Sequence, residues 1–162
     1  MDTIPRDDVE ARVDRAIEQL YQHDHYLMEH DVHERAIAHR LACYLATQFP
    51  DWDVDCEYNK NCGDIKKIST LTQCYKNEKD TAKGTSEQRV YPDIIIHRRG
   101  QPNNLLIIEM KKNQTQNDCD LAKLRHYQSD GLAYRFALYL NIPTGDHLSE
   151  HARPDKKWIG LT

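Results

Sequence analysis

No stretch of the chain approaches the twenty or so apolar residues that a membrane-crossing helix needs. The opening residues, running from Met1 to Asp8, carry neither a basic start nor an apolar run. A soluble, cytoplasmic protein with no membrane partner is therefore expected. Cys-x-x-Cys pairs are also missing. The five cysteines (Cys43, Cys56, Cys62, Cys74, Cys119) form an odd, scattered set, which argues against a disulfide framework and a zinc ribbon and for reduced thiols. His33-Glu34 starts a zinc-protease pattern, but Ile37 stands where the second histidine belongs and His39 is out of register. Internal repeats are absent. So is an excess of positive charge, with 22 Lys and Arg against 26 Asp and Glu. That balance neither requires nor excludes a nucleic-acid partner. Residues 1–35 hold ten acids and only four bases, which leaves the remainder slightly basic around Lys60 to Lys67, His97-Arg98-Arg99 and Lys111-Lys112.

What is present suits a single domain over residues 1–162. Val9, Val13, Ile17 and Leu20 recur at helical spacing after Asp7 or Asp8, either of which suits an N-cap. A second amphipathic helix is predicted over about 31–48, with Ile37, Leu41, Tyr44 and Leu45 on one face and Pro50 as its stop. Residues 52–58 alternate apolar and acidic, as a half-buried strand does, so Asp53, Asp55 and Glu57 are expected on a solvated face. Residues 60–88 break the rhythm and read as an insertion, partly a mobile loop. Strands at 90–97 and 105–111, joined by a turn through Gly100 and Pro102, predict an antiparallel hairpin. A helix from Asp118 or Asp120 to Gly131, a strand over 134–142 and a short element near 157–161 follow. The expected class is α/β, with helices on a small mixed sheet and one extra helix in front.

Inside the two most apolar segments stand Asp93, Glu109 and Lys111. Side chains two apart on a strand share a face, so Glu109 and Lys111 emerge together while Met110 turns away. A hairpin brings Asp93 beside Glu109. Two carboxylates at one sheet end make an oxygen-rich site for a hard divalent cation such as magnesium, and a nearby ammonium can orient water or balance a phosphate. The letters Pro50-Asp51 with Asp64-Ile65-Lys66 repeat the pattern without apolar strand context. Glu34 is a third carboxylate. Its spacing to Ile37 and Leu41 turns it toward the sheet, although Asp31 to Glu34 also fits a capping box.

Pro92-Asp93, fifteen intervening residues and Glu109-Met110-Lys111 resemble the PD-(D/E)xK (restriction-endonuclease-like) nuclease superfamily over about residues 30–142. The resemblance implies a core of helix, three-strand meander, helix and strand, and metal-dependent hydrolysis of phosphodiester bonds in DNA or RNA, DNA first. It implies Mg2+, with Mn2+ able to substitute. Asp93, Glu109 and Lys111 become the catalytic set, and Glu34, Asp93, Glu109 and the Met110 carbonyl become metal ligands. His33, Tyr91, Lys112, Lys123 and Gln128 are candidate substrate contacts. Gln128 and Tyr134 stand six apart where some recombination nucleases of the superfamily have such a pair four apart, which leaves the subgroup open. A homodimer or a larger nuclease assembly is a further expectation, and a catalytically silent binding module on the same scaffold is the alternative.

Overall fold

The computed structural model describes residues 3–58, 91–114, 118–129 and 131–160, with the backbone of four short strands between 60 and 89. Most of the expected insertion at 60–88, with Cys62 and Cys74, lies outside the described residues. The elements run α1 (Arg6–His23), α2 (His25–Glu29), α3 (Glu34–Gln48), β1 (Asp53–Cys56), β2 (Lys60–Asn61), β3 (Asp64–Ile65), β4 (Lys67–Ser69), β5 (Glu87–Arg89), β6 (Ile94–His97), β7 (Asn104–Lys112), α4 (Asp118–Gln128), β8 (Phe136–Ile142), a 3-10 turn at Gly145–His147 and β9 (Asp155–Ile159).

Five strands form one mixed sheet in the order β1-β6-β7-β8-β9, and β2 with β3 and β4 with β5 form separate two-stranded ribbons. Asp64 and Ile65, which carry part of the second Pro-Asp pattern, thus lie outside the central sheet. The pairs β1/β6, β6/β7 and β8/β9 are antiparallel, and β7/β8 is parallel because α4 carries the chain back between them. The mixed α/β class expected from the sequence is present. Two helical layers cover the sheet. Ile94, Ile96, Leu106, Ile108, Met110, Leu138 and Leu140 pack with α1, α2 and α3, while Ile95, Ile107, Ala137 and Tyr139 pack with α4. A strand buried on both faces needs a continuous apolar run, which is why β7 reads Leu-Leu-Ile-Ile before its one interruption, Glu109.

Several local expectations are corrected. Pro5, without a side-chain cap bond, precedes α1, so Asp7 and Asp8 lie in its first turn instead of capping it. His33 caps α3, its Nδ1 accepting from the Arg35 amide. The predicted capping box is therefore not formed. Asp55 is not solvated. Its carboxylate takes buried His97 Nε2 at 2.8 Å and Arg99 Nε at 2.8 Å, because the register sets Asp55 and His97 diagonally across β1 and β6. Cys119 is disulfide-bonded while Cys43 and Cys56 are free, which corrects the expectation of five reduced thiols. Sequence spacing does not report which cysteines a fold brings within bridging distance. Among the described residues no helix is long and apolar enough to cross a membrane.

Candidate functional site

The register of β6 and β7 pairs Ile94 with Ile108, so Asp93, the residue before β6, falls across from Glu109. By parity both lie on the α4 face with Ile95 and Ile107, and Lys111 follows them. β7 runs four residues past its last partner on β6, which leaves the amides of Met110 and Lys112 facing an edge where strand pairing has stopped. Two carboxylates complete that edge. Asp93 Oδ2 accepts from the Met110 amide at 2.7 Å, and Glu34 Oε2 accepts from the Lys112 amide at 3.2 Å. Because the N–H and C=O of one strand residue point to the same side, the Met110 carbonyl faces the same edge.

Glu109 is 3% exposed. Lys123 Nζ, from the second turn of α4, meets its Oε1 at 2.6 Å. Its Oε2 is buried with no hydrogen-bond partner among the described residues. A buried carboxylate oxygen without a donor is costly and calls for an occupant. Burial, then the neighbouring charge of Glu109, pushes the Asp93 carboxyl up to about 7, with Glu34 adding to the rise; the Met110 amide and the Lys111 ammonium act against it. Lys111 is half-buried, and its ammonium makes no hydrogen bond or ion pair among the described residues.

No family model, curated protein or solved structure matches this chain. The chemistry of the site is therefore carried by its own residues.

The structure brings Asp93, Glu109, Lys111 and the Met110 backbone together, with Glu34 at the margin. Among the described residues no three His, Cys, Asp or Glu side chains stand together as a ready metal-ligand group. Glu34, turned onto the Lys112 amide, thus does not join Asp93 and Glu109 in a preformed triad. Two carboxylates still fit magnesium, which keeps several waters and is commonly held by one or two protein carboxylates with substrate oxygens.

Of the candidate substrate contacts, exposed His33 caps α3 next to Glu34, and half-exposed Tyr91 lies two residues before Asp93. Lys123 sits within the site as the Glu109 partner. The other two are corrected. Gln128 is buried and donates to the Ile159 carbonyl, tying α4 to β9. Lys112 Nζ is spent on Asp31 Oδ1 at 2.7 Å and the Val32 carbonyl at 2.8 Å. Sequence reasoning missed Tyr139, which pairs across from Glu109 on β8. Burial first, then the charges of Asp120, Glu34 and Glu109, push its hydroxyl up to about 12. A tyrosine hydroxyl within the buried run Ala137 to Leu140 was the available signal.

The Lys112 contact belongs to a latch that sets the start of α3. Asp31 Oδ1 also accepts from the fully buried Thr144 hydroxyl at 2.6 Å, and Asn113 and Thr144 exchange two bonds of 2.8 Å. The Lys112 ammonium and then the Thr144 hydroxyl hold the Asp31 carboxyl below its usual range. This contribution is present above the unfolded value of about 3.9 and is lost as pH falls through the lower folded value. Thr144→Val is expected to destabilise the protein by about 1–2 kcal/mol, measured by urea unfolding at pH 7. Unchanged stability would show that the latch does not hold α3.

Proposed function

We propose that this chain is a divalent-metal-dependent nuclease that hydrolyses phosphodiester bonds in nucleic acid, DNA in the first place. The observation that carries the reading is the placement of Asp93, just before β6, across from Glu109 on β7, with Glu109 Oε2 buried and without a donor among the described residues. The ammonium of Lys111, unpaired among the described residues, stands on the same face. The succession α3, β1-β6-β7, α4, β8 supports it, because it follows the order of the restriction-endonuclease-like core. Asp93 and Glu109, with the Met110 carbonyl, are the groups that would hold Mg2+ or Mn2+, and Oε2 is open to it while Lys123 stays on Oε1. When bound, such an ion neutralises the two acids and polarises the phosphodiester.

Lys111 cannot ligate a cation while protonated. Its role is to orient the attacking water and offset charge gathering on the phosphate. Glu34 braces the edge of β7 beside it. The catalytically silent alternative draws on the Lys123–Glu109 ion pair, which satisfies half of the buried carboxylate without any ion. Calorimetry with Mn2+ separates the two. The nuclease reading expects saturable binding that disappears in Glu109→Gln, together with Mg2+-dependent nicking of plasmid DNA. Absence of binding in the folded wild-type protein favours the silent module.

A further inference from the structure

At the opposite end of the sheet, the β6–β7 turn, the start of β8 and the segment before β1 enclose a cavity of about 410 Å³. Glu109 lies five steps along β7 from Asn104 at this cavity, about 17 Å at 3.3 Å per residue, so the two places are distinct. Arg98 and Arg135 both line it, and none of the described residues lining it is acidic.

Each guanidinium is held by an aromatic face. Arg98 lies 4.9 Å over the Trp52 ring and Arg135 lies 5.1 Å over Phe136, with one Arg135 nitrogen also donating to the Ile4 carbonyl at 3.2 Å. Stacking fixes the plane and leaves the N–H edge for an anion. Neither arginine has a carboxylate partner among the described residues, although the chain as a whole carries a net charge of -4 and other arginines, such as Arg40 and Arg99, are ion-paired. Unneutralised charge is thus gathered here.

Further donors and acceptors come from Gln101 and Asn103 in the turn. Ala133, also at the wall, keeps a left-handed φ of 48° without being glycine, a conformation the surrounding structure must hold in place.

We infer that this cavity binds a phosphate monoester of about nucleotide size. Two planar forks match the several oxygens of a phosphate better than a single carboxylate, and the volume exceeds inorganic phosphate while falling in the range of small-molecule sites. The inference is independent of the chemistry assigned to Asp93, Glu109 and Lys111.

The test is titration of the full chain, in EDTA, with adenosine 5′-monophosphate, adenosine and a short 5′-phosphorylated oligonucleotide, followed by calorimetry. Saturable binding of the monophosphate is expected, with none for adenosine. Arg98→Gln and Arg135→Gln should each weaken it at least about tenfold, while Lys111→Ala leaves it unchanged. Tighter binding of the oligonucleotide would assign the phosphate to a strand end rather than to a free metabolite. Arg135 is exposed, so its variant is expected to fold even if Arg98→Gln does not. Lack of saturable binding for both phosphorylated ligands overturns the inference, as does affinity unchanged in Arg135→Gln.

Discussion

Replacing Lys111 with alanine is expected to lower magnesium-dependent cleavage of DNA by roughly 10²–10⁴-fold while leaving Mn2+ binding in place. The size follows from where the ammonium stands. Lys111 shares the α4 face of β7 with Glu109 and acts electrostatically on Asp93, yet among the described residues it makes no hydrogen bond or ion pair that holds the fold together. Its loss therefore removes stabilisation of charge in the transition state without removing a ligand or a core contact. Removing a positive neighbour also leaves the carboxylates more attractive to a cation, so metal affinity should hold or rise. Single-turnover nicking of plasmid DNA, with calorimetry on the same preparation, reads both quantities. Wild-type cleavage by the variant would mean either a contaminating nuclease or a site elsewhere.

Asp93→Asn is expected to abolish cleavage and, in metal-free buffer, to raise the melting temperature at pH 8 by about 4–8 °C, from roughly 2 kcal/mol of relieved charge burial. The sign follows from the raised carboxyl, whose value of about 7 arises first from burial and then from Glu109. Between the unfolded value of about 3.9 and that folded value, the native protein holds a proton that the unfolded chain has lost. Wild-type stability therefore falls as pH rises through this window and levels off above it. Asparagine carries no charge and its amide oxygen still accepts from the Met110 amide, so the variant lacks that fall and matches wild type near pH 4. Added Mn2+ should raise the wild-type melting temperature at pH 8 and leave the variant unmoved. A variant less stable than wild type at pH 8 would show that Asp93 is not a strained charge but a needed one. Such trade-offs, in which a group that destabilises the fold is kept for chemistry, are common at active sites.

The main elements were legible because their causes are local. Helical spacing of Val9, Val13, Ile17 and Leu20 gave α1, and the Ile37, Leu41, Leu45 stripe gave α3. Two apolar runs around a Gly100 and Pro102 turn gave β6 and β7. The one-turn helix α2 was missed, since five residues are too few to show a period. Within the site, Asp93, Glu109 and Lys111 stood out because charge inside a buried strand is anomalous. Lys123 and Tyr139 did not stand out in the same way, because a lysine on a helix and a tyrosine in a strand are ordinary until a partner is known. Gln128 misled for the same reason, its amide being needed by the Ile159 carbonyl on β9.

Residue order alone determined the long helices, the hairpin and the shared face of Glu109 and Lys111, because periodicity and turn chemistry act over a few residues. Only the tertiary structure decided which distant groups meet. It set Asp93 and Glu34 against the unpaired edge of β7, placed Lys123 on Glu109, turned Lys112 onto Asp31, and gathered Arg98 and Arg135 around one cavity. Those meetings depend on where β6 stops, on the crossing through α4 and on strand register, and no short-range pattern encodes such long-range distances.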